Sequence, residues 1–490
     1  MVDVKVCILL IFFYQANILE SKPLLSIDDF FNYTEFYSLT FSPLDNQLIL
    51  TQTRVKLWEK NINEYHLHLH YLASGQKELI STNSSSSFVP IWYDQWIGYI
   101  VDSNAENEPF YLNLYSTTAQ RTYSFSIGNE PIHALVWSHD GRFIYFAQRS
   151  SLPEDLRETY QNHWRGVIEH RANERGDTIY RVDIQNMDNP FIEPIVTMQI
   201  RVSELLTSSD GRQLIFSSAS KADTFDDIED FEIYSLNLER ASSKVPIRLT
   251  KNQAIETNLK WFNDLIFFTV IGAGSIEGNY KDNQGRLYSL DINNLRIERW
   301  AHEFQGSIKS YTFAWHPRPR LIILGQSRTE VQVYVQEKAN GSLDRIEGWP
   351  GTYQMLISHP NPRYETVAFI HSSFDVPQEI FISDSMTDLT KAKQVTQMNK
   401  LFTERNLPKG TTYLWINEDD QTQIEGILLY PPDKFKAKNL PLLVLIHGGP
   451  YDDADLNFFQ ADWYYSSSLM ATDGWLVFQP NYRGSGGNDH

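Results

Sequence analysis

Apolar runs of four to eight residues recur from about Asp28 to Thr396, in pairs separated by short Ser/Asp/Pro/Gly turns. Phe41-Ser42-Pro43 precedes Leu48-Ile49-Leu50, and Trp137-Ser138-His139-Asp140-Gly141 precedes Phe143-Ile144-Tyr145-Phe146. The same form returns at Ser209-Asp210-Gly211, Trp261-Phe262-Asn263, Trp315-His316-Pro317 and Ser358-His359-Pro360, with a degenerate copy at Trp92-Tyr93-Asp94. A second set of strands carries Tyr or Phe and ends in Asp, Asn or Ser-Asp, as in Tyr180-Arg181-Val182-Asp183, Tyr234-Ser235-Leu236-Asn237, Leu287-Tyr288-Ser289-Leu290-Asp291 and Ile380-Phe381-Ile382-Ser383-Asp384. Two strand pairs per repeat, spaced by roughly 40 to 70 residues, predict a mainly β chain with a seven-bladed β-propeller over 28–400.

One stretch breaks the pattern. Ser151 to Asp177 reads as helical, with Ser151 and Glu154 placed as a capping box and Pro153 in the first turn, where a missing N–H costs nothing. Two clusters invite metal. His66-Leu67-His68-Leu69-His70 sets three imidazoles on one strand face, but the outer two stand too far apart to share an ion, so a polar strand face is the reading adopted. The run Asp223, Asp226, Asp227, Glu229, Asp230, Glu232 lacks the glycine and ligand spacing of a calcium loop and reads as an acidic surface loop. Neither a metal nor a cofactor is expected.

Near the C-terminus the character changes. Pro441-Leu442-Leu443-Val444-Leu445-Ile446 predicts a strand buried on both faces, stopping at His447-Gly448-Gly449-Pro450. A second strand, Trp475-Leu476-Val477-Phe478, runs into a glycine loop, and Asp455 to Ala471 between them predicts a crossover helix closed by Asp473-Gly474. That is a βαβ unit, the start of an α/β sheet. The Gly-Gly pair frees main-chain N–H groups for close approach to a ligand, as in the oxyanion loop of acyl transfer; a plain turn is the other account.

The segments PLLVLIHGGP and GWLVFQPNYRGSGG, in this order and separation, resemble the prolyl oligopeptidase family of serine peptidases, especially its acylaminoacyl-peptidase and dipeptidyl-peptidase-like branches. The resemblance implies a propeller feeding an α/β-hydrolase domain, here begun over 405–490 and incomplete. It implies peptide substrates, and an oxyanion donor in the backbone N–H of Gly449, with Gly448 beside it. His447 stands where some relatives carry a tyrosine that adds a donor. Dipeptidyl-peptidase relatives hold the substrate amine with acidic residues on a helical insertion; Glu154, Glu158 and Glu169 occupy the corresponding insertion here, without an adjacent Glu-Glu pair, and a solvated face explains each of them more simply.

No serine in this sequence has glycine at both second neighbours, so the nucleophile elbow of an α/β-hydrolase is missing, and with it the Ser/Asp/His triad. Neither Ser485 nor His447 occupies a triad position in the family pattern. From Arg405 to His490 the chain is much shorter than the roughly 200 residues such a sheet requires. Two readings result: a fragment of a secreted serine peptidase that works through an acyl-enzyme, or a complete non-catalytic propeller that binds peptides or proteins. A chain ending inside a glycine loop, with a parallel strand edge left bare, favours the first.

Composition narrows the rest. At 490 residues, with 42% hydrophobic and 21% charged, the chain can bury a large core, and 13% aromatic residues favour strands. A formal net charge of −19 with no basic run excludes a nucleic-acid partner. Val6 to Tyr14 is an apolar core behind Lys5, which predicts a secretory signal peptide over 1–18; an uncleaved anchor or a buried first strand are the alternatives. The one cysteine, Cys7, falls inside it, so a mature chain would carry no thiol in an oxidising compartment. Sequons at Asn32, Asn83 and Asn340 permit secretion without arguing for it.

Overall fold

The computed structural model describes residues 22–81, 86–102, 108–151, 153–163, 175–187, 190–219, 231–239, 245–252, 254–273, 284–315, 318–448, 452–458 and 467–487. The expected signal peptide, Asn83, Glu169, the acidic residues from Asp223 to Asp230, and Gly449 lie outside the described residues.

The chain is mainly β. Five four-stranded antiparallel sheets follow one another from Glu35 to Trp300, each an up-and-down meander. An eight-stranded sheet from Ser307 to Gln394 is two further meanders joined by one parallel bridge between Val331 and Thr352. Each turn signal read from the sequence joins the first and second strands of its meander. The chemistry is local: Ser138 Oγ donates to Asp140 Oδ1 at 2.6 Å and accepts from Phe143 N at 2.8 Å, while Asp140 also accepts from Arg142 N at 3.1 Å. Ser208 and Asp210 repeat this pattern, and Gly141 and Gly211 sit at φ +69° and +70°, where a side chain would be strained.

The first strand of each meander packs on the preceding one, and that of the first meander, Glu35–Phe41, packs on Thr352–Ser358 of the last. A separate apolar cluster fills each junction. At the closing junction Phe36, Leu39, Phe41 and Ile49 meet Ala368, Ile370 and Ile380, all buried. Each of the Phe, Leu and Ile side chains contributes about 1.5–3 kcal/mol by leaving water.

A second device ties the junctions together and was not read from the sequence. A buried polar residue at or near the start of a third strand holds the segment that leads out of its meander. Asp177 accepts from Val202 N at 2.7 Å, Glu232 from Asn252 N at 3.1 Å and Glu379 from Asn399 N at 2.7 Å; Arg286 and Gln332 donate instead to carbonyls, Gln332 to Gly351 O at 3.1 Å. Buried backbone groups between strands are thereby paired, and removing such a partner costs more than the bond itself.

Residues 409–487 form a smaller mixed sheet. Lys409–Ile416 and Gln423–Tyr430 are antiparallel, Leu476–Asn481 comes next, and Leu442–Val444 lies parallel to it at the edge. A helix stands between the two parallel strands in sequence at Ser467–Thr472, but the expected start at Asp455 is corrected: residues 455–458 are irregular, with Asp455 held by Thr352 and Asn457 by Ser372 of the meanders, and 459–466 lie outside the described residues. One face packs: Leu443, Leu445, Val477, Ile427 and Leu429 gather with Ala454, Leu456, Met470, Ala471 and Phe374. The prediction of a strand buried on both faces is corrected here. Leu442, Val444 and Ile446 are 53%, 45% and 68% exposed, because the strand has a neighbour on one side and nothing among the described residues covers its other face.

The start of the described chain returns to this region. Asp29 receives Arg405 Nε and Nη2 at 2.9 and 2.7 Å, and Leu25, Tyr33, Phe402 and Phe458 pack together. Burial alone would raise the Asp29 carboxyl, but its bonds from Arg405 and Ser26 outweigh that and hold it below its ordinary value. The helical stretch after Ser151 is confirmed over Glu154–Asn162, with a correction at its start. Pro153 is the N-cap, without a side-chain bond, so the Ser151/Glu154 capping box does not form; a capping box does form at Ser26 and Asp29.

Candidate active site

Two loops meet at the end of the parallel strand pair. Leu445 N extends the ladder by donating to Phe478 O at 2.8 Å, and the chain then leaves the sheet at His447. The second loop, from Tyr482, folds back beside it. The Tyr482 ring lies flat on the His447 imidazole with centroids 4.5 Å apart at 16°, and its hydroxyl donates to His447 O at 2.7 Å. His447 Nε2 stands 2.9 Å from Ser485 Oγ, and Nδ1 stands 2.9 Å from Gly448 O. Ser485 is fully buried. A side chain added at Gly448 would meet nothing within 4 Å, so that glycine faces open space. Gly449, the expected oxyanion donor, comes next in the chain, outside the described residues.

The space beside these loops is a cavity of about 720 Å³ between the meanders and the C-terminal sheet, lined from one side by Glu35, Tyr37, Arg54 and Lys309 and from the other by His447 and Asp452 to Asp455. Two of its charge pairs are direct, one within a wall and one across it. Arg54 is bonded to Glu35, and Lys309 Nζ reaches Asp453 Oδ2 at 2.6 Å. Gln326 Nε2 donates to the other oxygen of Asp453 at 2.8 Å. Burial, reinforced by the Asp453 charge, pushes the Asp455 carboxyl up to about 7, and Asp455 accepts from Thr352 Oγ1 at 3.3 Å. Tyr37 is raised to about 12 by burial and then by Glu35. This wall is polar, charged and partly desolvated, which suits an extended peptide with its regularly spaced donors and acceptors.

The other sequence candidates lie elsewhere. Glu154 and Glu158 are exposed on their helix, between the second and third strands of the third meander, and do not line the cavity. His66, His68 and His70 share one face of the strand Ile62–Tyr71, as the alternation predicts. Each has a protein partner: Glu64 at 3.1 Å from His66, Thr53 at 3.4 Å from His68 and Thr51 at 2.9 Å from His70. Burial lowers His68 to about 3 and His70 to about 4, so both are neutral hydrogen-bonding side chains near neutral pH. Glu232, the described end of the acidic run, is fully buried against Arg248 at 2.6 Å and is no part of a surface loop.

Sequence reasoning missed Gln284. It precedes the strand Arg286–Asp291, is buried, and donates to Ser485 O at 3.1 Å while accepting from Gly487 N at 2.8 Å. Those partners lie about two hundred positions away in the chain, and no local pattern announces them.

No protein-family model matches the chain. Among curated proteins it is 41% identical over 66 residues to a probable dipeptidyl-peptidase 5 of Aspergillus niger, and 28% identical over 112 residues to dipeptidyl-peptidase 5 of Porphyromonas gingivalis. Those stretches cover 14% and 23% of this chain but only 9% and 16% of the relatives. Among solved structures, acylaminoacyl peptidase of Pyrococcus horikoshii matches 94% of this chain and 67% of its own with a TM-score of 0.67 at 14% identity. A prolyl endopeptidase structure matches with a TM-score of 0.62 at 14% identity, over 93% of this chain and 62% of that one. The fold is similar to that of these prolyl oligopeptidase-type peptidases, and the PLLVLIHGGP and GWLVFQPNYRGSGG segments are consistent with that likeness.

Proposed function

We propose that the chain is the front part of a secreted serine peptidase that cleaves short peptides through an acyl-enzyme. In this reading the meanders are a seven-bladed β-propeller over 28–400, residues 405–490 begin an α/β-hydrolase domain, and residues 1–18 are a signal peptide. The observation that carries it is the parallel strand pair delivering His447 to the wall of the cavity facing the meanders, with Gly448 next in the chain. The peptide lies in that cavity, and the propeller limits which peptides reach it.

A serine hydroxyl supplied by sequence beyond this chain adds to the scissile carbonyl, its proton passing to the base. The carbonyl oxygen becomes an oxyanion, held by the backbone N–H of Gly449 in the loop that Gly448 opens. Collapse expels the amine, which takes the proton, and water then releases the acid by the same steps. Backbone donors suit this task because they are already oriented and need not reorganise as charge develops.

The test is activity-based. Fluorophosphonate labelling of proteins secreted by the source cells, followed by peptide mass mapping, should capture a polypeptide that contains peptides of this chain and lacks roughly its first 16 to 20 residues. Capture of serine hydrolases with none of these peptides, while the chain is present and unlabelled in the same sample, would refute the reading.

A further inference from the structure

We propose that Ser485 and His447 are positioning residues, through which the propeller-like body of the protein sets the Gly448 peptide, and that Gln284 is the point where that control enters. The geometry fixes the protons. A carbonyl oxygen only accepts, so the 2.9 Å contact with Gly448 O requires the hydrogen on His447 Nδ1. Nε2 is then an acceptor, and the Ser485 hydroxyl donates to it across 2.9 Å. A nucleophilic pair would be wired differently, with a carboxylate on Nδ1 and an accessible hydroxyl on Nε2. Here Nδ1 meets a backbone carbonyl and Ser485 is fully buried. The pair is built to hold something still.

Its target is an amide plane. An amide is planar, so anchoring Gly448 O on the imidazole fixes the plane in which that carbonyl lies. Tyr482 locks the imidazole from its face and bonds the carbonyl of His447 itself at 2.7 Å. Gln284 grips the backbone at the serine and two residues after it, donating to Ser485 O at 3.1 Å and accepting from Gly487 N at 2.8 Å. Arg328 N adds a bond to Gly487 O at 2.9 Å. A continuous chain of contacts therefore runs from Gln284 through Ser485 and His447 to Gly448. Undocking the C-terminal sheet from the meanders breaks its first link. The consequence for the oxyanion rests on the peptidase reading above; the coupling of Gln284 to the Gly448 peptide does not.

The experiment uses the chain as it stands and reads no catalysis. In wild type, nitrogen-15 NMR of labelled histidines, with His447 assigned by His447→Asn, should show the Nδ1–H tautomer at neutral pH. Hydrogen exchange read by mass spectrometry should then report the amides of Leu445 to Gly448 against those of Val477 to Gln479. Gln284→Ala and Ser485→Ala should each speed exchange in the first segment about tenfold and leave the second within about twofold, the scale of losing one buried hydrogen bond from a locally opening loop. Gln284→Glu, which keeps the acceptor for Gly487 but loses the donor to Ser485, should act like Gln284→Ala, and Ser485→Ala should also shift the His447 tautomer. The double variant Gln284→Ala/Ser485→Ala should be no faster than Ser485→Ala alone. An Nε2–H tautomer in wild type, a measurement that needs no variant to fold, would overturn the assignment. So would unchanged loop exchange in folded Gln284→Ala, or additive effects in the double variant. None of these readouts depends on peptidase activity, so a failure of the functional reading and a failure of this coupling are seen separately.

Discussion

In the meanders every junction is closed by its own apolar cluster, whereas the C-terminal sheet packs one face and, among the described residues, leaves the other bare. Ile370 is fully buried between the last meander and the first, while Ile446, likewise preceded by an apolar run and followed by a histidine, is 68% exposed. Around the bare face Tyr413 and Trp415 meet the edge of Phe478 at 6.0 and 5.5 Å, and Leu442 and Val444 stand next to Leu476 and Phe478 in the ladder. The difference teaches that an apolar run records which faces a strand is suited to bury. Whether a partner covers them is a separate fact. It also explains where the site lies: the sheet is held from its packed side, and the loops at its edge take their order from the meanders through Gln284, Arg328 and Asp453.

The comparison can be broken in several places, and the largest effect is expected at the loop. In a catalytically competent polypeptide that includes this chain, Gly449→Pro deletes the proposed donor while Gly449→Ala keeps it. The Pro variant should lose about 10²–10³ in kcat relative to the Ala variant with little change in KM, because the bond forms fully only in the transition state. Steady-state kinetics on folded variants checks this, and a ratio within a few-fold would remove Gly449 from the oxyanion site.

Stability should divide the two regions next. Ile370→Ala, at the closing junction, should cost about 2–5 kcal/mol in urea unfolding. Ile446→Ala on the bare face should stay within about 0.5 kcal/mol. Equal losses would mean that the exposed face is covered in solution.

A pH effect belongs to the meanders. Burial, outweighing bonds from Thr250 and Asn252, raises the Glu256 carboxyl to about 8. A raised acid binds its proton more tightly folded than unfolded. Its contribution is therefore fully present below about pH 4.5, the ordinary value, and is lost as pH rises through about 8. Urea midpoints should fall across that window in wild type and fall less in Glu256→Gln. Parallel slopes in the two proteins would assign the pH dependence to other groups, of which Asp455 and Glu425, both raised to about 7 at the seam with the C-terminal sheet, come first.

The smallest expected effect is on association. Val444→Lys with Ile446→Lys places charges on the bare face, and should reduce self-association in light scattering without moving the urea midpoint appreciably.

Much of this was legible because it is local. Serine, aspartate and glycine at fixed offsets make the turn between first and second strands without help from distant residues, so Ser138-His139-Asp140-Gly141 and its counterparts were found by pattern alone. The βαβ arrangement of the parallel strands was readable for the same reason. Illegible were the long-range polar ties. Asp29 with Arg405 and Gln284 with Ser485 join positions hundreds of residues apart, and a buried Glu232 looks from sequence like any other member of an acidic run. The hydrogen bond between His447 and Ser485 could not be foreseen either, since only the fold brings the two loops together.

The measurement that bears most directly on the account is intact-mass analysis of this chain after fluorophosphonate treatment, with hydrolysis of peptidyl nitroanilides monitored in parallel. The account predicts no adduct and no hydrolysis, because Ser485, the serine bonded to His447, is buried and positions the loop instead of attacking substrate. A stoichiometric adduct on Ser485, lost in Ser485→Ala, would contradict it.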